Sequence, residues 1–217
     1  MGIVKRHILI YLVFMIVKLI LTLCVVMLLN APDAVAFEAT PEQDQLVEQG
    51  VAFYDDEEFA KAKAILFPLA KAGHAKAMNY IGLLHYGTSV FPNNPKIECD
   101  WYERAANAGY PNAMYNMSIC FDGNGRPNDP EIDKQWLQKA ANHGVVDAMI
   151  NLAWLDKDAG EEYRVWMNKA VKHGSVYAKV SLKLQGYEQD VPNVHIQDTL
   201  CVYIRILLFD GGFHLCD

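Results

Sequence analysis

The chain has 217 residues, 52% of them apolar and 21% charged, with 19 basic against 26 acidic side chains and a net charge of −7. That length fits one domain. An acidic balance with no basic stripe argues against nucleic acid and against anionic lipid as partners.

The N-terminus inflates the apolar share. Lys5 and Arg6 precede an apolar run over residues 8–17, and Lys18 and a second run over 19–29 follow. Asn30-Ala-Pro32-Asp33 then leads into Ala34-Val35-Ala36, before Phe37. A basic start, an apolar centre, a helix-breaking proline and an Ala-x-Ala site make a secretory signal. Residues 1–36 are therefore expected to be a signal peptide, cut between Ala36 and Phe37 and delivering the protein to the bacterial periplasm or beyond. The apolar segment is also long enough to span a bilayer, so an uncleaved inner-membrane anchor is the competing reading. Cys24 follows Leu23, a poor fit to a lipobox. Removing Lys5, Arg6, Lys18 and Asp33 leaves 16 basic and 25 acidic residues, a net charge of −9.

Residues 37–72 read as an atypical helical hairpin, with helices over 41–54 and 57–72. Thr40-Pro41-Glu42-Gln43 opens it with a capping box and a first-turn proline. The acidic run Asp55-Asp56-Glu57-Glu58 is a solvated turn whose charges favour a helix N-terminus.

From residue 73 to 186 one pattern recurs. It is written as Trp101-Tyr-Glu-Arg-Ala105-Ala106-Asn-Ala-Gly109, Trp136-Leu-Gln-Lys-Ala140-Ala141-Asn-His-Gly144 and Trp166-Met-Asn-Lys-Ala170-Val171-Lys-His-Gly174. Tryptophans and closing glycines keep the same spacing, 35 and then 30 residues. Leu69-Ala70-Lys-Ala-Gly73 ends a degenerate earlier copy. Four residues after each glycine stands a small anchor: Ala77, Ala113, Ala148 and Ala178. Self-similarity at this period predicts an array of helical hairpins that stack to share a core. Trp and the first Ala are four apart, on one helix face, and Gly suits the left-handed position that closes the second helix. Asn94-Pro95 and Asp129-Pro130 each place a cap before a first-turn proline. The loop after Cys120 begins like a calcium loop, but Arg126 and Pro127 stand where a ligand and the turn glycine are needed. No metal is expected.

The unit resembles the Sel-one-like repeat, a relative of the tetratricopeptide repeat. The first copy reads Ala77, Ile81-Gly82, Gly87, Trp101-Tyr102, Ala105-Ala106, Gly109; the second reads Ala113, Met117, Gly123-Asn-Gly125, Asp129, Trp136, Ala140-Ala141, Gly144. The third keeps Ala148, Leu152, Trp166 and Ala170 with a shortened loop. The resemblance implies an all-α, right-handed solenoid of helix–turn–helix repeats. Residues 187–217 read as a linker and C-terminal cap, helix or strand.

Cys99, Cys120, Cys201 and Cys216 permit two disulfides in an exported protein. Cys99 is ten residues before Gly109 and Cys120 ten after Tyr110, which sets them at one height in an antiparallel helix pair. A Cys99–Cys120 bond is expected, against the alternative of two buried thiols; Cys201–Cys216 would be the second pair.

Nothing carries conventional catalysis. None of Ser89, Ser118, Ser175 and Ser181 has a lysine three residues on or sits in a Gly-x-Ser-x-Gly turn, and no His-Glu-x-x-His motif is present. His143 and His173 precede closing glycines, where a histidine suits a helix C-terminus. The positive case is a surface. In tetratricopeptide-like arrays the first helices line the concave face. Stepping −1, +2 and +6 from each anchor gives Lys76, Asn79 and Leu83; Asn112, Tyr115 and Ile119; Asp147, Ile150 and Trp154; and Tyr177, Val180 and Leu184. Tyr115, Trp154 and Tyr177 are the kind of anchors that dominate protein interfaces; the alternative is that some of these side chains pack inward. The chain is read as an exported, non-catalytic scaffold, a periplasmic adaptor or regulator that binds a protein partner without cofactors. The resemblance leaves two alternatives: an immunity protein neutralising a secreted toxin, or a β-lactam-hydrolysing cysteine-rich repeat protein.

Overall fold

The computed structural model describes residues 15–20, 37–121, 123, 125–155 and 160–187. The chain divides into two compact units, residues 1–36 and 37–217. In the first, residues 15–20 are helical. Ala36, the Cys201–Cys216 pair and the segment 187–217 beyond Tyr187 lie outside the described residues. Among the described residues no helix is long and apolar enough to cross a membrane.

The second unit is a run of helix pairs, and its described residues contain no strand. The first pair is α1 (Pro41–Asp55) with α2 (Phe59–Ala72), and the second is α3 (Ala75–Leu84) with α4 (Pro95–Asn107). The third is α5 (Pro111–Cys120) with α6 (Pro130–Asn142), and the fourth is α7 (Val146–Leu155) with α8 (Glu161–Lys172). Helix α9 (Val176–Leu184) follows. Each helix packs on the next, and first helices of neighbouring pairs also touch, α1 on α3 and α3 on α5. This is an all-α solenoid of helix–turn–helix units.

Helix starts follow the caps. Thr40 accepts from the Gln43 N–H at 3.3 Å, and the Thr40 N–H donates back to Gln43 Oε1 at 2.9 Å. Asn94 caps α4 through the Ile97 N–H, and Asp129 caps α6 through the Glu131 and Ile132 N–H groups. Each satisfies donors that the first helical turn leaves unpaired.

Helix ends share one hydrogen-bond pattern. After α4 the Gly109 N–H donates to Ala106 and the Tyr110 N–H to Ala105, both at 3.0 Å. Gly144 and Val145 repeat this on Ala141 and Ala140, and Gly174 and Ser175 on Val171 and Ala170. It is the Schellman closure, which needs a left-handed residue at the glycine; Gly109 has φ 88° and Gly144 φ 89°. The first turn makes the same closure without glycine. Glu57 takes φ 60°, its N–H donates to Tyr54, and the Glu58 N–H donates to Phe53. The second helix therefore starts at Phe59, two residues later than expected, because Glu57 is spent on the reversal.

The anchors Ala77, Ala113, Ala148 and Ala178 are fully buried, as are Ala105, Ala140 and Ala170. Side chains this small let helix axes approach closely. The tryptophans fill the outer gaps and are half-buried. Each carries a cation three residues on: Arg104 lies 4.4 Å from the Trp101 ring centre, Lys139 3.9 Å from Trp136 and Lys169 3.7 Å from Trp166. Trp101 also meets Phe67 of the preceding pair edge-on. At the start of the unit, Phe37 packs over the turn at Gly73 and meets His74 edge-on.

A buried polar pair, Glu98 and Tyr102, lies on α4 against α3. Tyr102 lies so close to Gly82 that a Cβ there would sit 2.4 Å from its ring. Tyr102 hydrogen-bonds Glu98, which is 4% exposed and whose Oε2 has no partner among the described residues. Burial raises the Glu98 pKa, opposed by the Tyr102 hydrogen bond. Burial, then the Glu98 charge, pushes the Tyr102 hydroxyl up.

Beside it Cys99 and Cys120 form a disulfide, with Cα atoms 5.9 Å apart. It joins α4 of one unit to the last residue of α5 in the next, and both cysteines are buried. The loop to α6 closes over the bond. The Gly125 backbone lies against Pro95 and the Cys99 Sγ, where a Cβ would collide with both. Next to it, the Arg126 guanidinium donates to Asp100 at 2.8 Å and to Glu103 at 2.7 Å. Arg126 thus pins the loop to α4, at a place where a calcium loop would carry an oxygen ligand.

Two outcomes follow from this packing. Replacing both cysteines by serine is expected to lower stability by about 3 kcal/mol, the loop-entropy value for a closure of this size, in urea titrations under non-reducing conditions. For Glu98 the folded pKa is raised, so its contribution is full below the ordinary carboxyl pKa and is lost as pH rises through the folded value. The stability difference between Glu98→Gln and wild type should therefore grow in favour of the variant as pH rises; a pH-independent difference would contradict the assignment.

Candidate functional site

The first helices α3, α5 and α7 and the start of α9 line a cleft of about 420 Å³. A second cleft of about 340 Å³ lies farther along α5 and α7, with α6 as its other wall. Of the side chains expected on this face, the first cleft gathers Asn79, Leu83, Asn112, Tyr115, Asp147 and Ile150. The second gathers Ile119 and Trp154. Lys76 and Tyr177 line neither. Both carboxylate oxygens of Glu48, on α1, accept from Lys76 at 2.7 Å.

Exposure differs along the face. Ile119 is 43% exposed and Trp154 39% exposed, with Leu155 beside it more open still. Trp154 is supported edge-on by Tyr163 of α8 at 5.5 Å. Asn79 and Ile150 line the first cleft but are buried, as is Val180. Asn79 and Ile150 form its floor, whereas Val180 does not line it.

Polar side chains join neighbouring helices across the floor. Asn116 Nδ2 donates to Asn79 Oδ1 at 2.8 Å, linking α5 to α3. Asn151 Nδ2 donates to the Tyr115 hydroxyl at 3.3 Å, linking α7 to α5. Burial, then the Asp147 charge, raises the Tyr115 pKa. Tyr80, in the same cleft, is pushed up to about 12, mainly by burial. Asn116 and Asn151 were not among the expected site residues. Each stands three residues after its anchor alanine, a step as compatible with one helix face as the +2 that was taken.

The serines offer no activated nucleophile in this geometry. Ser175 caps α9, its hydroxyl oxygen accepting from the Ala178 N–H, and the Ser118 hydroxyl donates to the Tyr115 carbonyl. Among the described residues no three His, Cys, Asp or Glu side chains are grouped to hold a metal ion.

Residues 75–110 and 111–145 match the Sel1 repeat family. Those segments run from α3 through the α4 closure, and from α5 through the α6 closure. No curated protein matches the chain. Solved structures of the same fold include a Sel1 repeat protein from Oxalobacter formigenes, 23% identical, covering 76% of this chain and 70% of that one with a TM-score of 0.59. A protective antigen present in uropathogenic Escherichia coli strains, displaying an SLR fold, is 21% identical with a TM-score of 0.59. It matches 69% of this chain, which spans only 34% of its length. A Pseudomonas aeruginosa protein is 17% identical over 78% of this chain and 67% of its own, with a TM-score of 0.53.

Proposed function

We propose that this chain, a Sel1-repeat protein of the tetratricopeptide-like superfamily and hence a non-catalytic helical-repeat scaffold, holds a protein partner on the face lined by its first helices. The observation that carries the reading is the pair of adjoining clefts with Trp154, Ile119 and Leu155 open to solvent at one end. Large apolar side chains grouped in a groove are what partner proteins bury. Lys76, Asn79, Leu83, Asn112, Tyr115, Asp147, Ile150 and Tyr177 complete the proposed surface.

The partner is sought outside the cytoplasm. Residues 1–36 carry the pattern of an export signal, and a buried disulfide suits an oxidising compartment. A protective antigen among proteins of this fold is in keeping with that location. An adaptor or envelope regulator is the first reading. Neutralisation of a basic toxin is the second, favoured by the net charge of −9 left after residue 36.

Two measurements test this. Mass spectrometry of the protein recovered from its envelope fraction should give an N-terminus at Phe37; an intact residue 1 would make the segment an anchor. Affinity capture from the same fraction should recover a protein with wild type and lose it with Tyr115→Ala/Trp154→Ala, the variant remaining folded by circular dichroism. A partner that survives the double substitution would move the binding surface elsewhere.

A further inference from the structure

The Cys99–Cys120 bond lies one layer of backbone below the surface. Both cysteines are buried, whereas Gly125, whose backbone lies against the Cys99 Sγ, is itself only half-buried. A Cβ on Gly125 would collide with the Pro95 carbonyl and sit 2.9 Å from that sulfur, so nothing the size of a thiol fits between them.

Two kinds of contact hold this layer down. The Arg126 N–H donates to the Cys120 carbonyl at 3.1 Å and the Asp129 N–H to the Phe121 carbonyl at 2.8 Å, which returns the chain over the end of α5. On the other side the Arg126 guanidinium reaches Asp100 and Glu103 on α4. The Arg126 side chain is 19% exposed, and those of Asp100 and Glu103 are 51% and 48% exposed. Ion pairs this open to water are screened by dissolved salt, whereas the backbone hydrogen bonds are not. The guanidinium contact is therefore the adjustable part of the closure.

Thiol–disulfide exchange needs a thiolate to reach one of the two sulfurs. We infer that Gly125 and Arg126 form a latched strap over the disulfide, and that a reductant reaches the bond only after the Arg126 guanidinium leaves Asp100 and Glu103. Once the strap lifts, one thiolate of a dithiol reductant bonds to the Cys99 Sγ, the Cys99–Cys120 bond breaks, and Cys120 leaves as a thiolate. The second thiolate of the reductant then displaces Cys99. The protein disulfide gains two electrons, and the dithiol loses them as it closes to its own disulfide. With the strap latched the first of these steps is blocked. The same block keeps Cys201 and Cys216 from exchanging into the bond, which holds one pairing among the three that four cysteines permit. Lifting Gly125 and Arg126 requires no helix to unfold, so the strap and the solenoid open independently.

The test follows reduction of the purified, oxidised protein by excess dithiothreitol. Samples are quenched by alkylation, and the peptides carrying Cys99 and Cys120 are counted by mass spectrometry. In low urea the wild-type rate should be nearly independent of urea, because a local opening exposes little surface. Arg126→Ala should raise the rate about fivefold, and Asp100→Asn/Glu103→Gln should do the same, since each removes the latch. Added salt should bring the wild-type rate toward that of Arg126→Ala and leave Arg126→Ala unchanged. Gly125→Ala keeps the charges but cannot seat against Cys99, so it should be reduced faster than wild type at every salt concentration. Equal rates in wild type and the variants, or a wild-type rate that ignores salt, would overturn the inference. So would a wild-type rate that climbs steeply from the first additions of urea, because the bond would then be reached only by unfolding. The wild-type salt and urea series need no substitution, and they decide the matter even where a variant folds poorly.

Discussion

Each unit of this protein depends on how its second helix stops. Two small residues lend their carbonyls to N–H groups three and five positions on from them, and a left-handed residue between helix and turn makes that geometry possible. This closure fixes the direction in which the next helix leaves. It therefore fixes where the next anchor alanine lands, and with it how closely the next pair can approach. The same alanines that accept the hydrogen bonds are buried at the contact between helices. A larger side chain there would leave the hydrogen bonds possible but push the axes apart. One short motif thus serves the turn and the packing together, which is why it recurs at a near-constant interval.

That double duty made most of the fold legible. The Ala-Ala-x-x-Gly interval, the prolines after Asn94 and Asp129, and the capping box at Thr40 each correspond to a local backbone requirement, and such requirements are written in a few adjacent residues. Glu57 was not legible in the same way. Nothing in its side chain prefers left-handed backbone, and only the need to reverse between Asp55 and Phe59 puts it there. The pairing of Cys99 with Cys120 could be read because two helices of known rise leave a common turn. The role of Arg126 could not, because its partners Asp100 and Glu103 are more than twenty residues away and the loop must fold before they meet.

The candidate groove was readable only in outline. The helical step identifies which residues share a face, but the depth to which each sinks depends on how neighbouring helices tilt. Asn79, two residues beyond its anchor, is 3% exposed, and Trp154, six beyond its own, is 39% exposed. Asn116 and Asn151 escaped notice because asparagine in a helix usually marks a solvated position, whereas these two earn their place through bonds to the adjacent unit. Interactions between units are invisible in a pattern read one unit at a time.

The disulfide also sets how the array can bend. Solenoids flex by small rotations at each joint between units, and a covalent strut across one joint removes that joint from the motion. Here the strut spans the junction of α4 with α5, while the later junction of α6 with α7 has no cysteine on either helix. Rotation of α5 against α4 is thereby restrained, while the joint between α6 and α7 carries no such covalent restraint.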